Sequence, residues 1–286
     1  KPSRGRVSMA PAGEGWGGMS VIHAVSRSVR DSAALLDISC IPQPGDPYFL
    51  APPERPFAED VGRDPGKLRI AYNRGALLTG AAETEVSFAV DAAAKLLASL
   101  GHDVEEVQLP FEFGACSAAG GVCVSTATAV YIDMEGERRG HPVQAGEVET
   151  LTWRLYEQGK RHTSEDFARA VAFIHRFGRA LGEFMARYDV LMTSTLGKPP
   201  IRIGELSSTS DDTAEYARVF YAFMPNTQAF NHSGQPAISL PLAWTDDGLP
   251  VGIQFAASMG DEATLLRLAG QLEQAQPWWD KRASGF

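Results

Sequence analysis

Cysteine is scarce: Cys40, Cys116 and Cys123 are the three in 286 residues. They are too few and too odd in number to staple a secreted fold, and their spacing matches no zinc module. The six histidines contain no H-x-x-x-H pair, so neither a metal nor any other cofactor is expected. No stretch reads as the roughly 18 consecutive apolar residues of a membrane span. Basic runs are missing and the formal net charge is −9, which disfavours a nucleic-acid partner. The opening residues lack the layout of a secretory signal, and a reducing cytoplasm is the expected setting. No G-x-S-x-G pentapeptide is present, which removes the usual strand-to-helix nucleophile turn of Ser-His-Asp hydrolases.

What remains is an ordinary folded composition, 44% hydrophobic and 21% charged, enough for one large core. Leu68–Tyr72, Val104–Leu109 and Tyr188–Ser194 read as strands. Residues 82–100 carry helical spacing through Val86, Val90, Ala93 and Leu97, with Gly101 as the stop. Ser28 with Asp31 three residues on predicts a helix start. Six prolines between Pro42 and Pro56 predict an extended wrap over the surface of one domain. Residues 115–135 read as a buried small-residue helix, 145–187 as two more, and 212–224 as another. Asp261 caps a final helix. Pro236–Leu242 and Val251–Ala257 are short apolar runs joined by Asp247-Gly248, the signature of a strand pair with a tight turn. Asn231-His232-Ser233-Gly234-Gln235-Pro236 reads as a polar loop entering the first of them. Together these predict an α/β fold with a mixed, mostly parallel central sheet flanked by helices.

Gly13-Glu14-Gly15-Trp16-Gly17-Gly18 satisfies G-x-G-x-x-G in form. That motif needs a strand before it and a helix after it, and neither is legible here, so a Gly-rich surface loop is the better reading. Cys116 and Cys123 lie seven apart, on one helix face. They read as buried small residues, with a pocket role for Cys123 or Ser125 as the alternative; no base stands beside them in sequence. Asn231 and Gln254 are amides at strand ends that need partners, by way of backbone loops or as supports behind an active site. His232 is the one histidine in an attractive loop.

Asn231-x-x-Gly234-x-Pro236-Ala237-x-Ser239-x-Pro241, Gly248-x-Pro250-x-Gly252-x-Gln254 and Asp261-Glu262-x-x-Leu265-Leu266 resemble the C-terminal signature of the amidase signature family. Lys1-Pro2-Ser3-x-Gly5-Arg6-Val7-Ser8 resembles the segment after that family's Gly/Ser-rich catalytic region. Arg27–Leu36, Leu100–Val104 and Tyr188–Leu191 match as well. Gly15–Gly18 and Pro44–Tyr48 are similar to the 6-aminohexanoate-cyclic-dimer hydrolases within the family. The resemblance implies hydrolysis of a linear or cyclic carboxamide through a serine acyl-enzyme, using a serine nucleophile, a second serine on a cis peptide bond and a lysine base.

The family's triad lies ahead of the Lys1–Arg6 segment, so no catalytic residue is carried over to this chain. Residues 1–286 are expected to be the C-terminal part of a single amidase-like domain, inactive alone. Cys123, Ser125, Asn231 and His232 are its substrate-pocket candidates, and Gln254 a structural support. The expected partners are a small-molecule amide and the N-terminal part of the same protein; homodimerisation is left open. The alternative is an inert fragment or a binding subunit of a processed heterodimer.

Overall fold

The computed structural model describes residues 1–283. Its helices in chain order are α1 (Val29–Ser39), α2 (Phe57–Asp60), α3 (Thr84–Ser99), α4 (Phe113–Arg139), α5 (Thr150–Gly159), α6 (Ser164–Met185), α7 (Thr213–Phe223), α8 (Gln228–Ser233) and α9 (Glu262–Ala275). The strands are β1 (Arg69–Tyr72), β2 (Asp103–Glu106), β3 (Val190–Ser194), β4 (Ala237–Trp244) and β5 (Pro250–Ala257). They form one sheet in the order β2-β1-β3-β5-β4. The β2-β1-β3 half is parallel, and β5 runs antiparallel to both β3 and β4. The mixed sheet expected from sequence is present, but it is not mostly parallel: two of its four described strand pairings are antiparallel, both through β5 of the hairpin around Gly248.

Strand alternation divides the core in two. Ile70, Val190, Met192, Ile253 and Phe255 point to one face, against Val90 and Leu97 of α3 and Leu268 and Leu272 of α9. Ala71, Leu191 and Ala256 point to the other, against Phe177, Leu181 and Phe184 of α6 and Phe230 of α8. Every residue of β3 is buried, Thr193 and Ser194 included. Burying each such Leu or Phe contributes about 1.5–3 kcal/mol.

Local signals hold where a side chain caps a helix. The Ser28 hydroxyl accepts from the Asp31 amide, and Asp261 accepts from Thr264. Gly101 has the positive φ, +96°, that ends α3. Two readings need correction. The segment Asn231–Ser233 is not loop: it is the C-terminal turn of α8, closed by Gly234 at φ +83°. Polar residues hid it: Ala229 and Phe230 are the apolar residues of this six-residue helix, while the buried His232 and Ser233 read as loop. By length and composition α4 is also apolar enough to cross a membrane, contrary to the reading that nothing qualifies. Its apolar character is spread over Ala, Val, Gly and Cys with interspersed Ser and Thr, so no long unbroken run announces it. In the fold it packs against α5, α6 and α8.

Candidate functional site

The N-terminal arm pairs through Lys1 with Ala237 at the start of β4, and two arginines hold it. Arg6 forms a buried ion pair with Glu262 in the first turn of α9, Nη2–Oε2 3.1 Å, and also donates to the carbonyls of Ala51 and Gly260. The other Glu262 oxygen accepts from the Ser3 amide at 2.8 Å. Arg4 has no such carboxylate. Its guanidinium donates to the carbonyls of Asn231 (3.0 Å), His232 (2.9 Å) and Gly18. The first two are at the C-terminal end of α8, where the carbonyls carry partial negative charge. One side chain thus joins the Gly-rich loop to α8. Tyr48, from the Pro-rich wrap, stands 5.7 Å below the Arg4 guanidinium and donates to Glu14 at 2.5 Å. Burial, helped by Glu14, pushes the Tyr48 phenol up to about 12.

Behind this loop lies α4. His232 is buried, and its Nδ1 stands 3.1 Å from the Cys116 thiol. Desolvation first, and then the Arg4 charge, lower the His232 pKa to about 4. Burial raises Cys116 to about 12. The pair is therefore a neutral thiol and a neutral imidazole near pH 7, not a thiolate–imidazolium nucleophile. Gly120 makes room for the ring: a Cβ there would lie 2.2 Å from His232 Nε2. Cys123, two turns on from Cys116, is buried beneath Gly17, where a Cβ would meet its sulfur at 3.8 Å. The cavity bordered by Arg4, Glu14, Gly18 and Tyr48 is about 20 Å³, room for one water.

Three of the four pocket candidates thus meet. Cys123 supports the loop, and Asn231 and His232 are joined to it through Arg4. Ser125 is apart, on another side of α4. It is fully buried against α5 and donates to the Gly121 carbonyl at 2.8 Å, with His162 Nε2 at 3.1 Å. The backbone comes so close here that a Cβ on Gly159 would lie 2.0 Å from the Ser125 carbonyl oxygen. This is a helix-packing contact. Gln254 donates to Thr193 at 3.1 Å across the β3–β5 pair, a bond inside the sheet.

Two organising residues escaped sequence reasoning. Arg4 occupies the variable position of the Lys1–Arg6 motif, where nothing marks it. Asn226, fully buried, accepts from the Leu77 amide at 2.7 Å and donates to Ser194 at 2.8 Å, tying the end of β3 to the loop after β1. The preceding Pro225 is the one cue to a fixed turn. Lys1 is held on the carbonyls of Pro2 and Gln235, and burial brings its ammonium down to about 7. Among the described residues no hydrogen bond between a lysine ammonium and a serine hydroxyl is seen, and no cluster of metal ligands is found.

Comparison with known proteins finds relatives along nearly the whole chain. The family model described as Amidase matches residues 1–266. A 6-aminohexanoate-cyclic-dimer hydrolase of Paenarthrobacter ureafaciens is 33% identical over 99% of the chain and 59% of the relative. A putative amidase of Synechocystis is 33% identical over 96% of the chain and 51% of the relative. The chain therefore spans between about half and three-fifths of the length of these relatives. Among solved structures, 6-aminohexanoate cyclic dimer hydrolase complexed with substrate superposes with a TM-score of 0.91 at 32% identity, covering 99% of this chain and 61% of that one. A bacterial aryl acylamidase of the amidase signature family shares the fold, with a TM-score of 0.80 at 18% identity over 97% of this chain and 58% of that one.

Proposed function

Because the chain belongs to the amidase signature family, we propose that it is the scaffold and pocket-supporting part of an enzyme that hydrolyses a carboxamide C–N bond through a serine acyl-enzyme. The observation that carries this reading is the likeness, over 99% of the chain, to 6-aminohexanoate-cyclic-dimer hydrolase. A cyclic or linear amide of that type is the substrate class.

The chemistry would be divided. Acyl transfer needs an activated hydroxyl, a base within hydrogen-bond reach and donors for the oxyanion. Nothing described here supplies the first two together. The Ser125–His162 contact fails as a nucleophile pair, since the serine is sealed under α5 and its hydroxyl is committed to a backbone carbonyl. Lys1 has the lowered pKa of a useful base but is committed to carbonyls. The nucleophile and base would come from the portion of the enzyme that these relatives have beyond the matched region. What this chain supplies is a loop, Glu14–Gly18, held by Arg4 and backed by Cys123, with His232 keeping α8 seated on α4. A neutral, desolvated thiol and imidazole suit support of an uncharged amide. The same reading places the enzyme in a reducing, aqueous compartment, where its three free thiols persist.

The test is reconstitution. The purified chain, mixed with the part of the Paenarthrobacter hydrolase outside its matched region, should hydrolyse 6-aminohexanoate cyclic dimer or another carboxamide from a small panel. The chain alone should not. A stable complex without turnover of any amide would overturn the reading.

A further inference from the structure

The Gly-rich loop contains a residue that its backbone does not favour. The Gly18 amide donates to the Gly15 carbonyl at 3.1 Å, closing a four-residue turn. Its central residues, Trp16 and Gly17, both have positive φ, +54° and +66°. That pattern is a type I′ turn, which prefers Asn, Asp or Gly at both central positions. Trp16 stands at the first of them, and among the described residues it is the one non-glycine with positive φ. A bulky side chain in the left-handed region is a backbone outlier, and outliers persist where the surroundings hold them for a function.

The surroundings do hold this one. The Gly15 carbonyl also accepts from Ser20 at 3.1 Å, Arg4 donates to the Gly18 carbonyl, and Gly17 lies against Cys123. None of these contacts uses the indole. Trp16 is 42% exposed, and among the described residues it makes no hydrogen bond and meets no aromatic ring or cation. Exposure alone would not single it out, since Ile22 and Val25 are more exposed; the backbone does. Asn-Gly would form the same turn at less cost, so neither the turn nor the core accounts for the indole. The charged side chains beside it are engaged, Arg4 with carbonyls and Glu14 with Tyr48, which leaves the ring as an apolar face for an uncharged ligand.

We propose that Trp16 is a specificity-determining residue of the amide site. Its indole is the wall on which the hydrocarbon part of the substrate packs, selecting carboxamides that carry several methylenes over small polar ones. This rests on the amidase reading above, because the loop is what the chain supplies to that site. Apolar area covered by the ring grows with the number of methylenes, so the preference should grow with it.

The test uses the whole chain reconstituted with the portion of the Paenarthrobacter hydrolase outside its matched region. Two linear carboxamides, hexanamide and acetamide, differ only in methylene count. Trp16→Asn suits the turn and removes the indole. It should raise the denaturant midpoint of the chain and lower the ratio of kcat/KM for hexanamide to that for acetamide at least tenfold, with the loss carried by KM. Trp16→Phe, which keeps an aromatic face, should recover most of that preference. A ratio changed less than twofold overturns the inference. So does a tenfold weaker association of Trp16→Asn with the other portion, or a lowered denaturant midpoint, either of which gives the indole a structural role. Where the parent complex turns over neither amide, binding decides: hexanamide should shift the tryptophan emission of the parent complex and not that of Trp16→Asn. No shift in the parent, or the same shift in both, overturns it. Such binding without turnover of any amide in the panel would sink the proposed function and leave this inference standing.

Discussion

Arg4 and Arg6 stand two residues apart on one arm and serve different ends. Arg6 meets a buried carboxylate, and every partner in its group is itself satisfied: Ser3 completes Glu262, and Gly260 donates back to Ser3. Arg4 donates its hydrogen bonds to carbonyls, and its group contains a neutral imidazole, a neutral thiol and a glycine-rich loop. The first region fixes the arm to α9. The second joins the Gly-rich loop to the end of α8 beside a small cavity.

The comparison breaks hardest at Glu262. Glu262→Gln leaves Arg6 buried without its counter-ion and should cost about 3–5 kcal/mol in denaturant unfolding. A loss below about 1 kcal/mol would mean that the arm is not anchored there.

At the other arginine the largest effect is one of pH. The His232 pKa is near 4 when folded and near its ordinary 6.5 when unfolded. Between these values the unfolded chain binds more protons, so stability rises with pH across this window and is lost as pH falls from 6.5 to 4. The contribution is of the order of 3 kcal/mol. The difference in unfolding free energy between the parent and His232→Gln should change by that order across the window, and a flat difference would place the histidine in water.

Gly120→Ala comes next. Its Cβ would drive the imidazole out of its seat, and an overpacked contact of this kind costs about 1–3 kcal/mol. The altered packing should appear as faster exchange of amides in α8. Smallest is Ser125→Ala, which removes a neutral hydrogen bond worth about 1 kcal/mol. It should leave the activity of the reconstituted enzyme unchanged, unlike Cys123→Phe, which lifts the loop and should lower activity at least tenfold.

Much of this was legible in sequence because it is local. The Ser28 cap, the Gly101 stop, the buried strand Val190–Ser194 and the Asp247-Gly248 hairpin each follow from neighbouring residues. The helical turn at Asn231–Ser233 was missed because its signals are polar residues that also suit a loop. The site was legible as membership, not as geometry. Cys123 and Ser125 are two residues apart on α4, and side chains at that spacing face different ways. Only the packing of α5 and the Gly-rich loop decides which faces what. Arg4 was invisible for a related reason: its partners are backbone carbonyls, which leave no trace in side-chain identity, and those of Asn231 and His232 lie more than 200 residues away.

On the proposed function, the chain shapes an amidase site whose nucleophile lies elsewhere. A serine-reactive fluorophosphonate applied to the reconstituted enzyme, followed by peptide mass spectrometry, tests it directly. The expected result is an adduct on a serine of the supplied portion, with residues 1–286 unlabelled and activity lost in proportion. An adduct on a serine of this chain that tracks the loss of activity, at Ser125 above all, would contradict it.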